Sequence, residues 1–338
     1  MRVLVAGGAG YIGTHTCLEL LKQDDDVVVV DNLCNSKMTG LRRVEEMAGK
    51  KVSFYPVDVR DTAGLRDVFS AASVDAVINF AGLKAVGEST EIPLEYYDNN
   101  VSGTLNLLKV MDEFEVRTFV FSSSATVYGD PAEVPIKESF PTGEVTNPYG
   151  RAKLIIEDVA QDLAKANPAW NMCLLRYFNP VGAHESGCIG EDPNGIPNNL
   201  VPYISQVAVG KLECLNVFGD DYPTCDGTGV RDYIHVVDLA KGHLAALKSH
   251  TNDTGVHIYN LGTGKGYSVL QMLHAFEKSC GKTLPYKIVP RRAGDIAECW
   301  ADPALAAEKL GWKTERNLEM MMADTWRWQS ENPHGYED

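Results

Sequence analysis

Long apolar runs are missing from this 338-residue chain: no stretch approaches the ~20 residues that a membrane-spanning helix needs. The apolar segment 1–6 is too short for the core of a secretion signal and runs straight into glycines, so neither membrane nor export is expected and the chain reads as cytoplasmic. Metal-type cysteine spacing is missing too. The eight cysteines (17, 34, 173, 188, 214, 225, 280 and 299) contain no Cys-x-x-Cys, and the nearest pair, Cys214 and Cys225, is not followed by histidines at zinc spacing. They read as buried free thiols. His15, His235, His243 and His257 lie in helical or strand patterns without a His-Glu-x-x-His motif, which points to packing or capping and to no metal. Positive charge is in deficit, with 31 Lys and Arg against 46 Asp and Glu and a net charge of -15, which argues against nucleic acid or an anionic membrane as partner. A phosphorylated ligand stays open, because salt screens whole-molecule charge beyond roughly 8–10 Å and local cations decide. Internal repeats, low-complexity tracts and flexible linkers are also absent.

What is present is a 44% hydrophobic composition, enough for a sizeable core, and a regular alternation. Short β-branched runs at 2–6, 27–30, 52–57, 76–80, 118–121 and 172–176 alternate with helical patterns at 11–22, 39–47, 93–113 and 149–165, the third opening on a first-turn Pro. That rhythm predicts an α/β fold, a Rossmann-type doubly wound parallel sheet. From about residue 180 it loosens into segments rich in Pro, Gly and Asn, at 179–202 and 219–229, of the kind that build ligand sites. It resumes at 257–260 and ends in helices near 303–310 and 318–331, where Trp312, Trp326 and Trp328 read as core or interface. The expected division is a dinucleotide-binding domain over 1–178 and a smaller C-terminal α/β lobe over 179–338 that holds most of the substrate, with the chain free to cross between them.

Gly7, Gly10 and Gly13 follow the first strand and open the first helix, with Tyr11 and Ile12 between the last two. Glycines there permit a tight turn and close approach of backbone to a pyrophosphate at the positive helix N-terminus. Asp31 ends the second strand 18 residues past Gly13, where a carboxylate accepts from adenosine ribose hydroxyls. It would repel a 2′-phosphate and no Arg follows it closely, so NAD is favoured over NADP. Tyr149 and Lys153 form an i,i+4 pair on one helix face. A tyrosine of pKa ~10 is a poor base at neutral pH, but the adjacent ammonium, with the positive nicotinamide, favours its phenolate. Ser122, Ser123 and Ser124 follow the strand at 118–121, at the carboxyl edge where such sheets bind ligands, and one of these hydroxyls is expected to bond the reacting oxygen.

The glycine fingerprint, the segment SSSATVYGD and YGRAK together resemble the extended short-chain dehydrogenase/reductase superfamily. The segments at 80–89, 93–101, 174–184, 195–204, 226–240 and 255–264 resemble, within it, the UDP-hexose (UDP-glucose/UDP-galactose) 4-epimerases, from Met1 to the last helix without evident gaps. The resemblance implies that Asp58 and Val59 border the adenine. It adds Asn32, Phe80, Ala81, Ser122 and Tyr177 to the cofactor contacts, with Lys84, with Asn99 beside the nicotinamide half and with Lys153 on the nicotinamide ribose. It sets a UDP-sugar against Asn179, Asn199, Leu200, Asn216, Phe218, Arg231, Tyr233, Arg292 and Asp295. Arg231 and Arg292 would be the local cations for a diphosphate. Relatives are often homodimers joined through helices matching 93–113 and 149–165.

The implied reaction is an isomerisation: Tyr149, with Ser124 assisting, takes the C4-hydroxyl proton, NAD takes a hydride from C4, and the keto sugar turns before hydride returns to its other face. Two other readings stay open. A 4,6-dehydratase or decarboxylase shares the oxidation, but relatives that eliminate water carry acids directly after the strand-end Ser or Thr, and Ser124 is followed here by Ala125 and Thr126. A non-catalytic NAD or UDP-sugar sensor is the other, since fold alone does not establish function. Cys299 stands where relatives restricted to glucose and galactose have a tyrosine. A cysteine there leaves room for a 2-acetamido group, so the N-acetylated pair is expected as substrate too, unless neighbours close the pocket. No His or Lys adjoins Cys299 in sequence to make it a thiolate.

Overall fold

The computed structural model describes residues 1–195, 197, 199–250, 253–292 and 294–337. From the N-terminus, β1 (Arg2–Ala6) leads into α1 (Tyr11–Lys22), β2 (Asp26–Val30) into α2 (Met38–Ala48), and β3 (Ser53–Tyr55) into α3 (Thr62–Ala71). After β4 (Ala76–Asn79) come α4 (Val86–Glu91), α5 (Pro93–Tyr96), a π-helical turn over Tyr97–Ser102 and α6 (Gly103–Glu113). Then follow β5 (Thr118–Ser124), a 3-10 turn over Ala125–Tyr128, α7 (Pro148–Ala166), β6 (Asn171–Tyr177) and β7 (Asn179–Val181). The remainder is α8 (Leu200–Ala208), β8 (Leu215–Phe218), β9 (Val230–His235), α9 (Val236–Ser249), β10 (Gly255–Leu261), β11 (Gly266–Ser268), α10 (Val269–Cys280), β12 (Tyr286–Val289), β13 (Glu298–Cys299), α11 (Ala304–Leu310) and α12 (Leu318–Glu331).

Seven of the strands form one parallel sheet in the order β10-β6-β5-β4-β1-β2-β3. Its strands read as continuous apolar runs because both faces are covered. Successive residues point to opposite faces. Val3, Val5, Val27 and Val29 join Leu18 and Leu21 of α1 and Leu239 and Leu244 of α9 in one core. Leu4, Ala6, Val28 and Val30 join Leu65 of α3, Leu107 of α6 and Ile156 of α7 in another. The strand order reverses between β1 and β4, and the crevice beyond their carboxyl ends is where such sheets take dinucleotides.

Residues beyond 178 also enter the large sheet. β10 supplies the sheet's edge beyond β6, and α9, reached from β9, packs against α1. The second assembly centres on β9, which pairs with β11 antiparallel and with β7 and β13 in parallel, beside a parallel β8–β12 pair. Its core gathers Val201 and Ile204 of α8, Val217, Tyr233, Phe276 of α10 and Met321 and Met322 of α12.

Three expectations need correction. The strand expected at 118–121 continues to Ser124, so the serines placed after it are strand residues paired with β6. The helix expected at 93–113 is continuous, but it widens into a π turn over 97–102. The thiols are all free, but only Cys17, Cys173 and Cys299 are buried, while Cys34 and Cys225 are exposed. Trp312 and Trp328 are buried in the first core and Trp326 packs on that of the second assembly, as core tryptophans should. No described helix is long and apolar enough to cross a membrane.

Candidate active site

The glycine turn is shaped by steric demand. Gly7 has φ of +75°, and a Cβ there would lie 2.7 Å from the backbone nitrogen of Ala81; a Cβ on Gly13 would lie 2.3 Å from the Gly7 carbonyl oxygen. α1 can therefore approach β1 and β4 only with glycines at both positions. Gly10 caps α1 without a side chain, so the first-turn N–H groups around Tyr11 and Ile12 point outward at the helix's positive end. Asp31 accepts from the N–H groups of Ala9 (3.0 Å) and Leu33 (2.9 Å) and from the Ser36 hydroxyl (2.8 Å), tying the end of β2 to the glycine turn. Its two oxygens hold about four lone-pair sites, three of them taken, so one remains to accept from a ribose hydroxyl.

Asn32 donates to Asp58 at 2.8 Å, and the Arg60 guanidinium beside Asp58 holds that carboxyl down to about 2. Val59 beside it is buried. The absence of an Arg near Asp31 in sequence favoured NAD. The fold brings Arg60 to the neighbouring Asn32–Asp58 edge, but its guanidinium is already paired with Asp58, Glu95 and Asp98. Asn79 accepts from the Ala81 N–H, Phe80 packs on His243 with ring centroids 4.7 Å apart, and Tyr11 donates to the Gly182 carbonyl at 2.6 Å. Together the outward N–H groups, a carboxylate at the end of β2 and a glycine cradle that no Cβ can enter fit a dinucleotide.

β5 sorts the three serines by face. Ser122 meets the Tyr177 hydroxyl, whereas Ser123 points the other way and donates to the buried Glu157 carboxylate. Ser124, at the strand's end, accepts from both the N–H (3.2 Å) and the hydroxyl (3.0 Å) of Thr126. Its own proton is thereby left to donate toward Tyr149, whose phenol it partners. Tyr149 and Lys153 rise side by side from α7, with Lys153 Nζ 5.8 Å from the Tyr149 ring centroid and 4.8 Å from that of Phe121. The ammonium donates to the Ser122 carbonyl at 2.6 Å.

The pKa directions differ from the sequence expectation. Burial raises the Tyr149 phenol, with only Ser124 opposing. Burial also pulls the Lys153 ammonium from 10.5 down to about 8, against the attraction of Glu157. The protein's own groups therefore do not favour the Tyr149 phenolate.

The second assembly brings the other candidates to the same end. Asn179 and Tyr233 are register partners on β7 and β9, as are Arg231 and Cys299 on β9 and β13. Arg231 donates to the carbonyls of Val230 (2.8 Å) and Ala297 (3.4 Å), and no described carboxylate pairs with it. Arg292 pairs with Asp295 at 3.0 Å and lies over the Phe218 ring. Both guanidinium charges reach the buried Tyr233, whose phenol burial nevertheless raises to about 12. Asn216 on β8 has its Oδ1 buried without a partner, which invites a donor from a ligand. Cys299 packs with Ala125, Leu154 and Phe178 behind the Ser124 turn, and burial pushes its thiol up to about 11, far from a nucleophilic thiolate.

Several residues escaped the sequence reading. Glu191 joins the two halves by accepting from Lys84 at 2.9 Å and from Asn199, the residue before Leu200 at the start of α8, at 3.4 Å. Asn100, beside Asn99 in the π turn, holds the 80–84 loop through both backbone groups of Leu83. Glu157 and Arg176 form a buried ion pair beneath the serines, and Arg176 also donates to Tyr128 at 3.0 Å. An arginine inside an apolar strand and a glutamate one turn past Lys153 were the available signals.

The family model described as GDP-mannose 4,6 dehydratase matches residues 4–325. A UDP-glucose 4-epimerase of Haemophilus influenzae is 62% identical over 338 residues, covering 100% of both chains. The crystal structure of a UDP-glucose 4-epimerase from Bifidobacterium longum, in complex with NAD+ and UDP, superposes with a TM-score of 0.97 at 57% identity, over 99% of this chain and 100% of that one. A UDP-Glc/GlcNAc 4-epimerase from Campylobacter jejuni superposes with a TM-score of 0.85 at 35% identity, over 98% of this chain and 99% of that one.

Proposed function

The chain belongs to the UDP-glucose 4-epimerases, within the broader family that the dehydratase model describes, and from that membership we propose that it interconverts UDP-glucose and UDP-galactose by reversible oxidation at C4. The observation that carries the reading is the meeting of Ser124, Tyr149 and Lys153 at the carboxyl edge of the sheet, beside a turn built for a dinucleotide. Gly7, Gly10, Gly13 and Asp31 hold NAD by its pyrophosphate and ribose; NAD, when bound, supplies a nicotinamide that takes hydrogen with its electron pair from C4 and gives it back. Tyr149 Oη accepts the C4-hydroxyl proton and later returns it. Ser124, its lone pairs committed to Thr126, turns its one proton from Tyr149 to the reacting oxygen when the sugar is bound. Lys153 orients the nicotinamide ribose. Arg231 and Arg292 clamp the diphosphate, so the keto sugar can turn about its phosphate bond without leaving.

The dehydratase alternative lacks its acid: the turn after Ser124 offers Ala125 and Thr126, and Thr126 is occupied in holding Ser124. Cys299 carries the specificity reading. It is a small buried side chain behind the Ser124 turn, where a tyrosine would fill space, and this supports action on the N-acetylhexosamine pair as well. Purified protein given no NAD should convert UDP-galactose and, separately, UDP-N-acetylgalactosamine, with products resolved by NMR. Conversion of the glucose pair alone would remove the Cys299 reading, and conversion of neither would remove the epimerase reading. The enzyme acts in the cytoplasm as a homodimer joined through the α5–α6 and α7 faces. Light scattering on the eluting protein should give twice the monomer mass, and a monomer at micromolar concentration would refute it.

A further inference from the structure

Tyr149, Lys153 and Glu157 recur every four residues along α7 and so share one face, neighbours lying about 5–6 Å apart at Cβ. The proposed reaction employs the first two and gives Glu157 no part. Its carboxylate is fully buried and accepts from Arg176 of β6 through Nε (3.0 and 3.2 Å) and Nη2 (2.6 Å), and from the Ser123 hydroxyl. Lys153 holds the adjacent residue, donating to the Ser122 carbonyl at 2.6 Å. A lysine and a glutamate of one helix thus grip consecutive residues of β5 just before Ser124. Packing alone does not call for ions here, since apolar residues of similar volume in place of a buried pair are often neutral or stabilising.

We propose that Glu157 is a positioning residue of the reaction, a counter-charge that acts through Lys153 and keeps it an ammonium at neutral pH. The inference rests on the part given to Lys153 in the proposed epimerase reaction. An ammonium has three N–H donors: with one spent on the Ser122 carbonyl, two remain for the ribose hydroxyls of the cofactor. A neutral amine would offer only one there. Burial works against the ammonium, pulling it from 10.5 down to about 8, and the attraction of Glu157 opposes that pull. Without the carboxylate the fall would run on toward neutral pH.

Among the described residues no other neighbour of Lys153 supplies that charge. The phenols of Tyr149 and of Tyr177 on β6 are raised by burial, so neither is an anion near neutral pH in the chain alone. From α5, Tyr96 is raised likewise and donates to Glu88 of α4 at 2.6 Å. Asp98 of the π turn is paired with Arg60 at the surface. β5 presents the Ser122 carbonyl and the Phe121 ring, and no charge. Arg176 is a second cation, held between Glu157 and the Tyr128 hydroxyl.

Two pH dependences test this. In urea melts of the full-length chain stripped of cofactor, the stability difference made by Lys153→Met is level below the folded-state pKa of Lys153 and falls above it. In a Glu157→Gln/Arg176→Met background, which leaves no stranded charge, the onset of that fall should move down by about one pH unit or more. The alkaline limb of kcat for UDP-galactose, measured on the holoenzyme, should move down with it. Glu157→Asp keeps the charge and should retain the native onset and limb. Glu157→Gln alone leaves Arg176 as a second buried cation and should move both at least as far as the double variant. A background that lowers kcat while onset and limb stay in place would make Glu157 a structural strut and overturn the proposal, as would a Glu157→Asp chain that shifts like the Gln variants. An onset that moves as expected in a protein without epimerase turnover would sustain the counter-charge and remove the epimerase reading instead.

Discussion

Replacing Lys153 by Met should stabilise the folded chain while stopping its chemistry. The Lys153 ammonium is buried, and its pKa falls from 10.5 to about 8. A drop of roughly 2.5 units corresponds to about 3 kcal/mol by which the fold disfavours the charged form. Methionine matches the stem length and carries no charge. It forfeits the 2.6 Å charge-assisted hydrogen bond to the Ser122 carbonyl, a loss of about 1.5–3 kcal/mol. The variant should therefore be more stable by up to about 1.5 kcal/mol near pH 7. Because the folded pKa lies below the unfolded one, the penalty on the native chain is full below pH ~8, shrinks between ~8 and ~10.5, and vanishes above. Urea melts of the two cofactor-stripped proteins at several pH values, each pair compared at the same pH, isolate this group from all others. A Lys153→Met chain less stable than the native one at neutral pH, or a difference that does not change between pH ~7 and ~10, would refute the reasoning.

Tyr149→Phe should leave the melt and NAD content intact but lower turnover by about 100- to 10,000-fold, the usual contribution of a positioned proton acceptor; undiminished turnover removes its assignment. Glu157→Gln strands the Arg176 charge, with side chains 1% and 4% exposed, and should cost about 3–5 kcal/mol in denaturant melts, most of it regained by adding Arg176→Met. Cys299→Tyr should suppress conversion of UDP-N-acetylgalactosamine while sparing UDP-galactose, read by the same NMR assay; equal loss of both would mean a general packing defect. Gly13→Ala sets a Cβ against the Gly7 carbonyl at 2.3 Å and should cost about 1–3 kcal/mol and release NAD during purification; retained cofactor would count against the cradle.

The strands and helices of the first half were legible because each carries its own signal. α1 begins just after Gly10, and Asp31 stands at the end of β2, as read from the sequence. What escaped has identifiable causes. The apolar stripe of 93–113 continues through the π turn, so pattern alone cannot show the extra residue at 97–102. α8 contains Pro202, which reads as a breaker in sequence but falls at the third helical position, where its missing N–H goes unused. β9 passes into α9 at His235–Val236 with no turn residue between, so strand and helix merge into one run. In the site, residue types were readable but their division of labour was not. The opposite facing of Ser122 and Ser123, the pairing of Glu157 with Arg176 and the upward shift of Tyr149 depend on what lies across the sheet, which spacing along the chain does not encode.

The return of β10 to the far edge of the sheet bears on how such an enzyme can be recombined. A single cut after β6 would separate most of the sugar-binding half, but would carry off α9 and β10, stripping a helix from one face and exposing the paired edge of β6. A chimera with one junction should therefore fail to fold, whereas one that keeps residues 236–261 with the first half and exchanges the flanking segments preserves every strand partner of the large sheet. Inheritance of sugar preference in this architecture is expected to proceed by point change or paired exchange rather than by the swapping of a terminal module.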